Sequence, residues 1–249
     1  MGMDMDMDTG INRTRTTMTT PSQQPSSTPS SRLLHLLHLV SPSLPIGGFA
    51  YSQGLEYAID AGWLNTPEAL HDWLSGLLDE GLAQLELPLL QRFYAAYAAG
   101  DSAQVERWNH WLAANRETKE LLFEDQQMGM ALRRLLVSLE VISGEDRPPT
   151  APSYCSQFAL AARHFDVSTE AMLNGFAWSW LENQISVACK TVPLGQTAAQ
   201  QLLMRLLPDI DRAVSKGLML EDEQLGATLP GFALASALHE TQYSRLFRS

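Results

Sequence analysis

Residues 41–56 read Ser-Pro-Ser-Leu-Pro-Ile-Gly-Gly-Phe-Ala-Tyr-Ser-Gln-Gly-Leu-Glu, and this stretch decides how the rest of the chain is interpreted. Its two prolines fix φ and lack a backbone donor, while the paired glycines allow positive φ or close approach of another backbone. Apolar residues lie between them, which is unusual for a solvated linker. The stretch predicts a rigid loop that packs against the body or a partner; a buried connection between helices is the simplest form of this.

Outward from this loop, apolar residues recur at the three- and four-residue spacing of amphipathic helices. Start signals such as Thr66 before Pro67, and Asp101 or Ser102, mark several N-termini, and Gly100 marks an end. We predict residues 117–142 to form the longest helix and Pro208 to end one. The predicted helices cover residues 32–40, 51–61, 67–87, 89–99, 102–112, 117–142, 153–165, 168–190, 197–207, 209–216 and 231–239.

No stretch alternates apolar and polar residues between turn signals, so the sequence predicts essentially no strands. We therefore expect an all-α fold, a single globular bundle of about ten helices. Residues 1–31 consist of Met-Asp repeats followed by Thr, Ser, Pro and Gln, and such a composition cannot offset the entropy of ordering. The predicted organisation is a disordered N-terminal tail over residues 1–31 and an all-helical domain over residues 32–249.

The charge pattern restricts the classes of partner. The chain of 249 residues carries a net charge of −11, and the first 32 residues balance three aspartates against three arginines, so the folded part is acidic. Nucleic acids and anionic membranes attract clustered Lys or Arg, and we expect neither as a partner. No apolar core of a signal peptide and no run long enough to span a bilayer occur, which predicts a cytoplasmic protein.

Candidate metal and redox groups are sparse. The two cysteines, Cys155 and Cys189, do not form a Cys-x-x-Cys motif. Cys189 is interpreted as a buried free thiol, with transient metal binding as the alternative. His35 and His38 lie one helical turn apart, but a metal site normally needs three or four ligands, so ordinary helix residues are the favoured interpretation. We expect no metal site on this chain.

Enzymatic motifs are weak as well. The chain has no Gly-x-x-x-x-Gly-Lys-Ser/Thr phosphate loop, so we expect no nucleotide hydrolysis by this chain. Ala50-Tyr51-Ser52-Gln53-Gly54 differs by one residue from the Gly-x-Ser-x-Gly nucleophile elbow, with Asp211 or Asp222 and His239 downstream. That elbow requires a preceding strand, and prolines and glycines precede this serine in a helical chain. We instead expect Ser52 in the first turn of a helix.

The last residues place aromatic and cationic side chains at one end of an acidic chain. Tyr and Arg are enriched in interface hot spots, so the segment around Tyr243 and Arg245 is a candidate for ordering on a partner. Packing back onto its own bundle is the alternative.

Three segments together resemble the urease accessory protein family UreF. They are residues 41–56, residues 192–197 (Val-Pro-Leu-Gly-Gln-Thr) and residues 239–249 (His-Glu-Thr-Gln-Tyr-Ser-Arg-Leu-Phe-Arg-Ser). Residues 116–120 with 127–129 are a weaker match. The segments occur in the family's order and span nearly the whole chain beyond the tail. A generic helical adaptor that shares these motifs is the remaining alternative, and it would leave active urease intact on deletion.

The resemblance implies an all-helical, dimeric accessory protein that is not itself an enzyme. It implies binding to the scaffold protein UreD, also called UreH, and to the GTPase UreG, in a complex that delivers nickel to apo-urease with GTP hydrolysis. No cofactor would be bound stably, because nickel is handled by the complex. The implied partner-binding residues are Phe49, Tyr51, Tyr243, Arg245, Leu246 and Phe247.

Two positions depart from the family pattern. Phe49 stands where relatives carry tyrosine, so a hydroxyl is dispensable there or its role is lost. Residues 129–131 read Gly-Met-Ala where Gly-Arg-Ser is expected, which removes polar groups from that turn.

Overall fold

The protein is an all-helical bundle, as the sequence predicts. The computed structural model describes residues 1, 28–144, 149–192, 194–226 and 228–249, and it contains no strand within these ranges. Short 3-10 turns cover Gly48–Ala50 and Asp222–Gln224, and a π-helical turn covers Leu77–Leu82. The α-helices are α1 Pro29–Leu39, α2 Leu55–Asp60, α3 Pro67–Gly76, α4 Glu86–Ala99, α5 Ser102–Ala114, α6 Lys119–Ser138, α7 Tyr154–His164, α8 Thr169–Thr191, α9 Gln196–Met219 and α10 Pro230–His239.

Side-chain caps start most helices where the sequence predicts them. The hydroxyls of Thr66, Ser153 and Ser168 each accept a hydrogen bond from the N–H three residues later. Asp101 caps α5 in the same way, and Gly100 ends α4 with a φ of +67°. These contacts satisfy backbone groups that a helix end leaves without partners.

Helix α4 is the centre of the core, packing against α5, α7, α8 and α9. Phe93 of α4, Phe158 of α7 and Met172 of α8 are completely buried. At one end of the bundle, α2 packs between α8 and α10, and α10 also contacts α6. The candidate functional site lies at this end of the bundle.

Pro208 does not end a helix, contrary to the prediction. Helix α9 runs from Gln196 to Met219 with Pro208 inside it, and it is longer than α6. Buried residues such as Leu206 and Ile210 flank the proline on both sides and α9 packs along α8. Packing of this continuous apolar face outweighs the one hydrogen bond that proline removes.

Two further boundaries differ. The predicted helix over residues 67–87 is divided into α3 and the π-helical turn, which buries Leu77, Leu78 and Leu82. Pro88 lies in the first turn of α4, where its missing N–H removes no helical bond.

At the N-terminal side, α1 begins at Pro29, capped by Thr28, although the tail was predicted to continue to residue 31. Residues 2–27, on which most of the tail prediction falls, lie outside the described ranges. Among the described residues, no helix is both long enough and apolar enough to cross a bilayer.

Candidate functional site

Residues 41–56, hereafter the signature segment, adopt a single compact path after α1. Its Leu44 is buried, so the prediction that the loop packs against the body is confirmed. Gly47 has a φ of +79°, and Gln53 and Gly54 have φ values of 54° and 78°. Helix α2 begins at Leu55 rather than at residue 51, because these left-handed residues interrupt any earlier helical turn.

The signature segment pairs with the C-terminal segment, which we define as residues 241–249. The N–H groups of Ser52 and Gln53 donate to the main-chain oxygen of Ser249 at 2.5 and 3.0 Å, and the Ser52 hydroxyl donates to the same oxygen. The Arg248 N–H donates to the carbonyl of Ala50 at 2.8 Å. The C-terminal segment therefore packs onto its own bundle.

Three glutamates, Glu56, Glu120 and Glu124, accept hydrogen bonds from the C-terminal segment. Glu56 accepts hydrogen bonds from the N–H groups of Leu246 and Phe247 at 2.7 and 3.1 Å. Glu120 accepts from Nη2 of Arg245 at 2.7 Å.

Glu124 ties the last residue to the signature segment and to α8. Its carboxylate accepts from the Ser249 hydroxyl at 2.8 Å and from Nε2 of Gln53 at 2.7 Å. Oε1 of Gln53 accepts in turn from the indole N–H of Trp180 at 2.8 Å. Burial raises the pKa of Glu124 to about 7, although the bonds donated by Gln53 and Ser249 partly oppose this.

His239 is fully buried between two of these carboxylates. Its Nε2 lies 2.9 Å from Glu56, and its Nδ1 lies 3.2 Å from Glu120. Both nitrogens are thus engaged with carboxylates, and the Ser52 hydroxyl is bonded to Ser249 rather than to a histidine. Because Ser52 precedes α2 and follows no strand among the described residues, the nucleophile-elbow alternative lacks its required geometry.

The structure divides the six predicted partner-binding residues into three groups. Phe49, Tyr243 and Leu246 are exposed, by 66%, 103% and 71%. Arg245 is half-buried against Glu120. Tyr51 and Phe247 are buried, and the Phe247 ring lies 5.4 Å from the Lys190 ammonium. Partner binding by these residues stays a prediction; the buried pair can support a surface but cannot contact a partner without rearrangement.

Sequence reasoning missed the buried groups that assemble this site. Glu56 and His239 occur inside the strong motif segments, and Glu120 occurs inside the weaker one. Sequence reasoning gives Glu56 and Glu120 no role and considers His239 only in the nucleophile-elbow alternative. The presence of these three residues in the motif segments was the signal from which a role could have been inferred. Their partners lie far along the chain, for instance 183 positions apart for Glu56 and His239, so spacing could not reveal the contacts.

A cavity of about 160 Å³ lies beneath the signature segment. Arg116 lines it and pairs with Glu86 and, at 3.4 Å, with Asp125. Desolvation raises the pKa of Asp125, and the positive charge of Arg116 offsets part of that rise. The weaker motif at residues 116–120 is therefore part of a buried ion-pair network.

Gly129 of α6 lies against the backbone that leads into α7. A Cβ at this position would lie 2.0 Å from the carbonyl oxygen of Pro152. Glycine is required here because the backbone of residues 152–153, just before α7, is in direct contact with α6.

The structure places the histidine and cysteine candidates in separate environments. The described residues contain no group of three or more His, Cys, Asp or Glu arranged to hold a metal ion. His35 stacks on Phe165 with ring centroids 4.2 Å apart. Cys189 is exposed, so its interpretation as a buried thiol is wrong; it lies near the end of α8, where the helix face turns to solvent.

Comparison with known proteins identifies the family. The UreF family model matches residues 64–207. A urease accessory protein UreF from Chromohalobacter salexigens is 56% identical over 217 residues, covering 87% of this chain and 94% of the relative. The chain belongs to the UreF family. Proteins of the same name from Teredinibacter turnerae and Hahella chejuensis are 52% and 51% identical, covering 88% and 89% of this chain and the whole of each relative.

Membership agrees with the resemblance drawn from the three motif segments. Two of these segments, residues 41–56 and 239–249, are the ones that the structure brings into contact. The third includes Pro193, which lies outside the described residues, while Gly195 is the residue that precedes α9. In this UreF-family chain, the Ser52 hydroxyl is bonded to Ser249 and His239 lies between Glu56 and Glu120.

Proposed function

We propose that this chain is a subunit of a urease maturation complex and is required for nickel insertion into apo-urease. In this proposal it bridges the scaffold protein UreD (UreH) and the GTPase UreG, and modulates GTP-dependent nickel delivery. Family membership supports the role in urease maturation. The partners, a homodimeric state, cytoplasmic location and the lack of a stably bound cofactor are parts of the proposal.

One observation carries the assignment of the contact surface. The main chain of the C-terminal segment is bonded to the signature segment, while Phe49, Tyr243 and Leu246 project from the same end with large exposed areas. Exposed aromatic and aliphatic side chains on an ordered backbone are suited to binding a protein partner, because little entropy is lost on association. We propose this surface as the contact for the scaffold protein.

The first experiment is size-exclusion chromatography with light scattering of this chain mixed with UreD and UreG, with and without residues 242–249. We expect a complex built on a dimer that is lost when the segment is removed. No complex with the full-length chain at micromolar concentration would contradict the proposed function and favour the generic adaptor.

A point substitution tests the surface more narrowly. Arg245→Ala removes the side chain that bonds Glu120, and we expect an intact helical fold with about tenfold weaker binding to UreD by calorimetry. Arg205→Ala, an exposed arginine on α9, is the matched control and should bind as wild type. Unchanged affinity for Arg245→Ala would argue against this placement of the interface.

A further inference from the structure

The cavity beneath the signature segment lies between α1, α6 and α8 and has a volume of about 160 Å³. An engineered cavity of about 150 Å³ is large enough to bind benzene. Phe49, which is 66% exposed, and the half-buried Glu182 are among the lining residues, so the cavity opens to solvent. A small molecule can therefore enter it without unfolding of the chain.

Helix α8 supplies one wall of the cavity. Six of its side chains line the cavity at helical spacing, in two adjacent rows: Phe176, Trp180 and Asn183 in one, and Ser179, Glu182 and Ser186 in the other. From Phe176 to Ser186 the wall extends about 15 Å along the helix, at a rise of 1.5 Å per residue. A wall of this shape suits a linear ligand better than a compact one.

The charge of the lining is negative. Four of the lining residues are carboxylates, and Arg116 is the one cationic side chain among the described residues that line the cavity. Arg116 pairs with both Glu86 and Asp125, so this group keeps one surplus negative charge. Glu124 and Glu182 form no ion pair with a described residue. Desolvation raises the pKa of both carboxyls, and a positive charge beside them would lower it again.

Apolar and aromatic side chains complete the lining. Leu39, Leu44 and Phe176 line the cavity together with the indole of Trp180. Methylene groups gain free energy by packing on such side chains, and aromatic faces attract an ammonium group. An inorganic cation gains nothing from apolar walls, and the described residues contain no group of three or more His, Cys, Asp or Glu arranged to hold a metal ion. The lining therefore favours a flexible organic cation.

We propose that this cavity is a binding site for a linear aliphatic polyamine, such as spermidine. One ammonium group pairs with Glu182, another pairs with Glu124, and the methylene stem packs against Leu44 and Phe176. Binding requires no partner protein, so the site does not depend on the proposed function.

Isothermal titration calorimetry of the full chain with spermidine tests the site. In about 150 mM NaCl, which screens charges farther apart than about 8 Å, we expect saturable binding with a Kd of about 10–100 µM. Hexylamine carries a single ammonium group on an apolar stem, and we expect it to bind about 10-fold more weakly. No saturable binding of spermidine, or equal affinity for hexylamine, would overturn the proposal, and neither measurement needs a variant.

Glu182→Gln tests the carboxylate on α8. Because no described residue bonds to this side chain, the fold should be unaffected, and we expect spermidine to bind about 10-fold more weakly. Glu170→Gln makes the same charge change at an exposed position in the first turn of α8, about 18 Å away along the helix. This control should bind as wild type, and equal affinity of the two variants would overturn the proposed site.

An NMR spectrum of the tryptophan indole groups locates the bound amine. The indole N–H of Trp180 donates to Oε1 of Gln53 at 2.8 Å, and both side chains line the cavity. Spermidine should shift the indole signal of Trp180 and leave that of Trp108 in place, since Trp108 of α5 is not among the lining residues. Saturable binding with no shift at Trp180 would place the amine elsewhere on the acidic chain and overturn the cavity site.

Discussion

Gly54 illustrates how one residue allows the signature segment and α10 to meet. Its φ of 78° is in the left-handed region, and a Cβ there would lie 2.6 Å from the backbone nitrogen of Ser236 and 2.8 Å from the carbonyl carbon of Ala235. Neither atom can move without displacing α10. The position requires glycine for two separate reasons, backbone conformation and direct contact between two backbones.

Gly54→Ala should therefore be severely destabilising, by about 3 kcal/mol or more, because left-handed strain of about 1–2 kcal/mol adds to a backbone clash. Gly62→Ala is the matched control, since Gly62 has a similar φ of 75° with nothing within 4 Å of its added Cβ. It should lose about 1–2 kcal/mol. Urea unfolding measures both, and equal losses would show that the clash at Gly54 is relieved.

For single residues, the sequence predicts the backbone conformation of the loop but not the hydrogen-bond partners of the buried side chains. Prolines and glycines in residues 41–56 predicted a fixed loop, and the buried Leu44 confirms it. Glu56 and Glu124 resemble any surface glutamate in sequence, because the groups that make their burial tolerable lie far away along the chain. These are residues 239, 246 and 247 for Glu56, and residues 53 and 249 for Glu124. Long-range hydrogen bonds leave no periodic trace in the chain.

Among the elements, α9 has the most unusual construction. Pro208 is exposed and lies in the interior of this helix, so the bond that a residue 208 N–H would donate to the carbonyl of Met204 is absent. A proline in a helix interior is about 3 kcal/mol less favourable than alanine. The long buried stripe of α9 must offset this cost.

Pro208→Ala should consequently stabilise the protein by about 1–2 kcal/mol, since the restored helical bond exceeds the gain in unfolded-chain entropy. Pro67→Ala provides the comparison, because Pro67 occupies the first position of α3, where no helical bond is lost. That control should be neutral or slightly destabilising. A Pro208→Ala chain no more stable than wild type would indicate that α9 is bent to suit the proline.

Helix starts were predictable and some helix ends were not, for a physical reason. Caps such as Thr66 and Ser168 act within three residues, so sequence reveals them directly. The continuity of α9 and the π-helical turn Leu77–Leu82 depend on which neighbouring helices cover their apolar faces. Tertiary packing decided these cases against local propensity.

The whole molecule, with its net charge of −11, also buries several carboxylates at one end. Glu124 has a pKa of about 7, raised from an ordinary value of 4.5 chiefly by desolvation. The folded state thus binds a proton more tightly than the unfolded state does. Stability from this group is fully present below about pH 4.5 and is lost as the pH rises through about 7.

Glu124→Gln should remove this dependence. The unfolding free energy of wild type minus that of the variant should fall by about 3 kcal/mol between pH 4 and pH 9, since one pKa unit corresponds to about 1.36 kcal/mol. Denaturant titrations at intervals of one pH unit measure it. A profile for Glu124→Gln that stays flat with pH would refute the assignment.

The two cysteines give the molecule a ready position for a chemical label. Cys155 is enclosed, and burial raises its pKa well above its ordinary value, so maleimides should react with it very slowly. Cys189 is exposed and adjoins Lys190, whose ammonium lies over the Phe247 ring. A fluorophore or spin label attached to the natural chain at Cys189 would thus sit beside the C-terminal segment and report when that segment leaves the bundle.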